Sequence, residues 1–594
     1  MANEVFGGFT ALPGGMNSAI DSALLKPTEF ARGVNVSVRG GYAETRGGFT
    51  NLGALDGTGT FRGAFVWRLN EGDFLVVARG TGVVFRSFDT GAQWTYFGMF
   101  ADGTSWCHFT QPDRWIMVQD GVGRPAVFQM VNGVPQLYGQ NPPLVCIVPG
   151  TVGLYLHRRI HYVPLLVPAL TPDPATADVL PDSTAESGKM SFVSSDVRDN
   201  INPEYVFRMS EHRVVAEGGA YTLPAEFGLI EGMGQLRGAA SGTGVGPLIV
   251  FGREGVSAFD VSKARASWIT SGIGEVLFSG AGTRSSRAIV SVNDDLVYMD
   301  TQGDLRFLRY DKTALAGSGG VLYNVPKSNE MRYFIRNQNP DYLPNASATF
   351  TDNRFWWTLH GKSDGTYEAM GVLDTIPSYT MSAADPAAYY GVWTGFGFLQ
   401  AVTARVSQVA GMFAVVKTAA GYSVLQYDDD IVTDPGSTPI RSTVITPAMD
   451  LATEGVAVST QPKQLRYFEL QLGNIKRDTT AQVYYRPRGQ SEWQLAGSAS
   501  VAVPGGPAQR RRVKIPVVRD DDLGADPVTK QRFDVSDSFE FMVRWVGFCR
   551  VEMFRVVGTA LPQPDLPVCD VDNPDSVAYT TDVLDPDFDY EVTL

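Results

Sequence analysis

The sequence predicts an all-β protein: a degenerate β-propeller with an N-terminal arm before it and a C-terminal β-sandwich-like domain after it. Three observations carry that reading. The 63 glycines, 35 prolines and 11% aromatic residues suit many short strands and tight turns rather than long helices. From residue 60 the chain is a succession of strand–turn–strand units with glycine-containing hairpin tips. After Tyr427 the pattern changes to strands that alternate strictly between apolar and polar residues.

The arm occupies residues 1–55. Gly7, Gly8, Gly14, Gly15, Gly33, Gly40, Gly41, Gly47 and Gly48 interrupt it too often for a helix or a long strand. It has no basic start and no continuous apolar run, so it does not read as a signal peptide. What remains is an extended segment with one short helical turn after Pro27 and a strand over residues 34–39. A glycine-rich, non-periodic segment gains order only by docking, so the arm is expected to pack against neighbouring subunits. Deleting residues 1–30 is expected to leave the propeller folded and to impair assembly.

Residues 56–435 hold the propeller-like hairpins, at 74–88, 115–128, 154–163, 248–259, 296–308, 354–373 and 413–425. Where neighbours are easily paired, the tips lie about 40–60 residues apart, the period of propeller blades. One small sheet cannot bury both of its faces, so such units stack radially on each other. No Trp-Asp dipeptide or kelch pattern recurs, which disfavours a regular interaction propeller. A pair of β-sandwiches is the competing arrangement. The third unit is interrupted near 164–190 by a run of Pro, Ala, Asp and Thr, which reads as a long exposed loop.

Asp428-Asp429-Asp430 and Asp434-Pro435-Gly436 mark a linker. Residues 436–564 then carry strands at 465–472, 481–486, 510–515, 539–545 and 549–557, an antiparallel sandwich or jelly-roll pattern. Residues 565–594 form a tail with nine acids and no Lys or Arg. It reads either as a solvated terminus or as a strap across the basic cluster Arg510, Arg511 and Arg512. That cluster is a candidate partner contact; the competing reading is a solvated strand edge that blocks aggregation.

Composition narrows the chemistry. With 44% hydrophobic and 19% charged residues, a large core can be buried. No apolar run reaches the ~18 residues that would suggest a membrane helix. Cys107, Cys146, Cys549 and Cys569 are scattered and read as free thiols. His157 and His161 are four apart, but on a strand their rings would sit about 13 Å from each other, too far to share a metal. The glycine runs at 242–246 and 280–282 carry no Gly-Lys-Ser/Thr, and no Gly-x-Ser-x-Gly elbow occurs. Asp294-Asp295 could in principle serve glycoside hydrolysis, but acids in a hairpin turn usually form the turn. No catalytic, cofactor or metal site is expected. The net charge of −14 opposes nonspecific binding to nucleic acid, because phosphate contacts need a basic surface.

One resemblance rests on an ordered set of landmarks. They are Gly7-Gly8, the turn at Pro27, Asn35-Val36, Arg39-Gly40 and Arg46-Gly47-Gly48-Phe49. The hairpin at 154–163, Ser194-Ser195-Asp196, Pro203-Glu204-Tyr205 and the strand from Leu248 follow. This order resembles the tail-nozzle (tail tubular, or DNA-stabilisation) proteins of short-tailed bacteriophages, and it covers the chain from the arm to residue 430. The resemblance implies a structural virion protein rather than an enzyme, made in the host bacterial cytoplasm. It implies a homo-hexameric ring that contacts the tail adaptor and tail fibres. That ring would retain the packaged genome and pass the DNA, without specific binding, during ejection. Arg32, Arg39, Arg46 and Phe49 then become candidate subunit or adaptor contacts. Two other classes compete: a β-propeller carbohydrate-active enzyme and a receptor-binding tail-tip protein.

Overall fold

Several strands in the middle of the chain are apolar on both faces, and this decides the architecture. Gly72–Arg79 is buried at every position but its last, and Trp115–Gln119 and Leu248–Gly252 are buried throughout. A strand buried on both sides must have another layer packed on each face. The computed structural model meets that demand with a ring of small sheets. It describes residues 4–561 except 101–102, 124, 139–149, 165–189, 199, 202, 208–219, 240–244, 264–267, 269–273, 312–320, 376–387, 453–460, 504–509 and 518–533. The expected loop near 164–190 and the acidic tail therefore lie outside the described residues, apart from the loop's ends at Pro164 and Met190.

Among the described residues the ring consists of seven four-stranded antiparallel blades. Their innermost strands are Phe61–Leu69, His108–Thr110, Gly150–Leu156, Ile230–Gln235, Ile289–Val292, Ala348–Thr351 and the second half of Ala388–Val406. The last strand serves two blades. Its first half pairs with Tyr367–Asp374 at the outside of blade six, and its second half pairs with Val409–Thr418 as the inside of blade seven. The outermost strand of blade seven is Gly48–Ala54, from the arm, which pairs with Gly421–Asp428. An early strand thus completes the last blade and closes the ring.

Each pair of neighbouring blades shares a core. Trp67, Phe74 and Phe85 of blade one pack on Ile116, Val118 and Phe128 of blade two. Trp115 and Met117 meet Ile160 and Tyr162 of blade three. Leu75, Val77 and Val84 of blade one meet Val402, Phe413 and Val415 of blade seven across the closure. The predicted hairpins at 74–88, 115–128, 248–259, 296–308, 354–373 and 413–425 are each the middle two strands of a blade; that at 154–163 is the inner pair.

The second body is the expected β-sandwich. Its strands alternate, with Lys463–Gly473 and Thr479–Pro487 burying every second side chain over most of their length. One sheet runs Arg511–Pro516, Lys463–Gly473, Arg550–Ala560, Ala43–Thr45, Val36–Ser37, and Glu4–Phe9 also pairs with Arg550–Ala560. The facing sheet runs Arg32–Val34, Arg441–Ile445, Phe539–Val546, Thr479–Pro487, Gln494–Val501.

The arm is therefore not a separate docking element. Residues 4–45 supply strands to both sandwich sheets, and residues 48–54 supply one to the propeller. The physical reason is edge satisfaction: the short arm strands fill backbone positions beside Arg550–Ala560, Arg441–Ile445 and Gly421–Asp428. The local details shift as well. The helical turn lies at Ser22–Leu24, before Pro27, where the Asp21 carboxylate accepts from the Ala23 N–H at 2.8 Å. The strand expected over 34–39 is broken at Asn35, whose φ is 54°.

Candidate functional site

Asn35 shows why the arm folds as it does. With a left-handed backbone it leaves the strand and turns its amide into the seam between propeller and sandwich. Its Oδ1 accepts from Thr394 N at 2.8 Å and Arg46 Nε at 3.0 Å, and its Nδ2 donates to Arg441 O at 3.0 Å. Arg46 has no exposed side-chain surface, and it forks onto Asp434 with bonds of 2.9 and 2.8 Å. It also donates to Gly47 O and Thr394 O. Its guanidinium lies 5.1 Å from the Phe49 ring, and Phe49 packs against Phe396, Phe398 and Tyr427 of the last blade. Gly48 is required because a Cβ there would collide with the Thr433 carbonyl.

The other two arm residues are used within the chain too. Arg39 Nε donates to Asp374 Oδ2 at 2.8 Å and Nη1 to Asp352 Oδ2 at 2.6 Å, both on blade six. Arg32 stacks on the Tyr333 ring at 3.5 Å. Of the four candidate contacts, Arg46 and Phe49 are thus buried at an internal joint and offer no side chain to a partner. Arg32 and Arg39 sit at its half-exposed rim.

Arg510, Arg511 and Arg512 lie at or beside the edge strand Arg511–Pro516 and are all exposed. Arg510 pairs with Glu552 at 2.9 Å, and Arg512 pairs with Glu469. The Asp294-Asp295 pair sits at a hairpin, where the Asp295 carboxylate accepts from Arg309 Nε at 2.8 Å. His157 occupies a two-residue turn with Arg158, both at positive φ. His161 is buried with Nδ1 2.6 Å from Ser194 Oγ. The described residues contain no group of three or more His, Cys, Asp or Glu placed to hold a metal.

A cavity of about 410 Å³ lies on the propeller axis. Every blade contributes to its wall: Phe65, Phe109, Gly153, Met233, Arg287, Thr349 and Gln400 come from the seven innermost strands or the turn beside them. Gln400 ties blade seven to blade one by accepting from Ala64 N at 2.8 Å and donating to Ala64 O at 2.7 Å. The hydroxyls of Thr349 and Thr403 meet at 2.6 Å between blades six and seven.

Arg287 crosses the axis from blade five. Its Nη2 donates to Cys107 O at 3.2 Å, and its guanidinium stacks 4.4 Å from the Trp106 ring beside blade two. Burial lowers Arg287 to about 10, and burial together with the Arg287 charge pushes His108 down to about 3. Sequence reasoning missed these residues. Nothing around an isolated arginine ahead of a short strand, or a histidine at the start of another, distinguishes it from a side chain facing solvent; only ring closure brings them together.

No family profile and no curated protein sequence matches the chain. Among solved structures, the β-propeller domain of Cps50 (Swd1) from Myceliophteria thermophila is similar at 9% identity. That match covers 64% of this chain and 100% of the other, with a TM-score of 0.37. A mitotic checkpoint complex chain is similar at 9% identity over 66% of this chain and 93% of its own, with a TM-score of 0.36. The chain's own sheet order defines the class of the protein: an all-β propeller fused to a sandwich.

Proposed function

We propose that this chain is a tail-nozzle subunit of a short-tailed bacteriophage, a structural virion protein whose ring retains the packaged genome and passes it during ejection. The observation that carries this reading is the use made of Arg46-Gly47-Gly48-Phe49. This segment, a main part of the nozzle resemblance, is the joint that welds propeller to sandwich. A channel wall that holds back a pressurised polyanion needs rigid blocks, and a bidentate buried arginine at the seam supplies rigidity. The acidic balance of the chain fits a surface along which DNA slides rather than sticks.

The propeller's own axis does not serve as the conduit in this reading, because Arg287 spans it and the cavity is a few hundred cubic ångströms. The DNA passage is instead enclosed between copies, as a hexameric ring provides, with adaptor and fibres as further partners. Electron microscopy of the purified protein and of virions tests this. A sixfold ring at the tail is expected. A monomeric or trimeric tip structure, or turnover of glycans by the purified chain, would overturn it.

A further inference from the structure

The axial cavity is chemically unlike the rest of the molecule. The chain carries 63 acids against 49 Lys and Arg, yet the described residues lining the cavity include Arg68, Arg287 and His108 and no carboxylate. Arg287 has five N–H donors, and among the described residues one of them is engaged, by the neutral Cys107 carbonyl. Its other close neighbour is the Trp106 ring. Among the described residues no acid lies within ion-pair reach of it. A half-buried guanidinium with only neutral protein partners is less well compensated than an ion-paired one, and an anion supplied in the cavity would make up the difference. Burial lowers the proton affinity of both groups, and the Arg287 charge lowers that of His108 further.

We propose that this cavity is a binding site for a small oxyanion, phosphate or a small carboxylate, held by the free N–H groups of Arg287. Charge-assisted hydrogen bonds from an arginine fork are the strong class and suit both anions. A cavity of about 410 Å³ accommodates either. His108, kept neutral near pH 7, lines the site without adding charge. The site is assembled only when all seven blades are in place, so the anion would bind the closed ring and not the open chain. It would stabilise that closure by mass action. This inference is independent of the nozzle reading.

The test uses the full chain in three titrations at constant ionic strength, with sodium phosphate, sodium succinate and sodium chloride. Thermal unfolding and the fluorescence of tryptophan, including Trp106, are read in parallel. Phosphate or succinate is expected to saturate a fluorescence change and to raise Tm with the logarithm of its concentration, and the stronger arm identifies the anion class. R287M is expected to weaken binding at least tenfold, and R287K to retain part of it. M233E, which puts a carboxylate into the same cavity, is expected to abolish binding even if R287M fails to fold. Responses equal to chloride in the wild-type chain, or oxyanion binding undiminished in M233E or in folded R287M, would overturn the proposal.

Discussion

At the scale of single residues, the chain concentrates its risk in buried arginines. Arg46 is completely covered, and among the described residues its charge is matched by Asp434 alone. Removing one partner strands the other charge, which costs about 3–5 kcal/mol in comparable buried pairs. R46M and D434N are each expected to lower the unfolding free energy by that order, and R46M/D434N by less than their sum. Denaturant unfolding of the four proteins checks this; strict additivity would show the pair to be uncoupled. His108 gives a second expectation. Burial, then the Arg287 charge, holds its folded-state value at about 3, while an unfolded histidine titrates near 6.5. Between those values the unfolded chain binds a proton that the folded chain refuses. Stability from this group is therefore complete above pH 6.5 and is lost as the pH falls towards 3. H108Q is expected to show a smaller fall in Tm between pH 7 and pH 5 than the parent. His157 and His360, which burial also lowers, keep the remaining slope. Equal slopes would sink the assignment.

At the scale of elements, the sequence made the blades legible through their central hairpins. The inner two strands of a hairpin are continuous apolar runs around a glycine turn, and that signal is local. The outer strands were not legible. Gln93–Tyr96 is half-buried throughout, and Gly274–Ser279 is largely exposed, so neither carries the burial signature. The sandwich was legible because its strands alternate. Its arm-derived members were not, since two- and three-residue strands such as Val36–Ser37 have no periodicity to read. The residues of the axial cavity were invisible for a different reason: their meaning exists only after seven distant segments converge. One expectation changes as a result. Removing residues 1–30 strips the pairing partner of Phe554 to Thr559 and takes Phe9, Met16 and Phe30 from the core. The truncated chain is now expected to lose several kilocalories of sandwich stability, at about 2–5 kcal/mol per deleted core side chain. Hydrogen exchange should show Arg550–Ala560 deprotected, with the blades one to four unaffected. Protection equal to the full chain would mean that the arm docks elsewhere.

At the scale of the whole molecule, charge and topology set the behaviour. With a net charge of −14 and many of its arginines paired with carboxylates within the chain, the isolated protein is expected to bind duplex DNA weakly near physiological salt. A gel-shift titration at two salt concentrations checks this, and tight, steeply salt-dependent binding would point to a clamp lined with cations. The closing strand has a consequence in time. Gly48–Ala54 leaves the ribosome hundreds of residues before its partner Gly421–Asp428. At about 5–20 residues per second, that is a delay on the order of twenty seconds to over a minute. During that interval blade one has no neighbour on one side, and the arm strand has nothing to pair with. The nascent chain must therefore be shielded until Gly421–Asp428 has emerged, and a cell short of chaperones is where production of this protein would first fail.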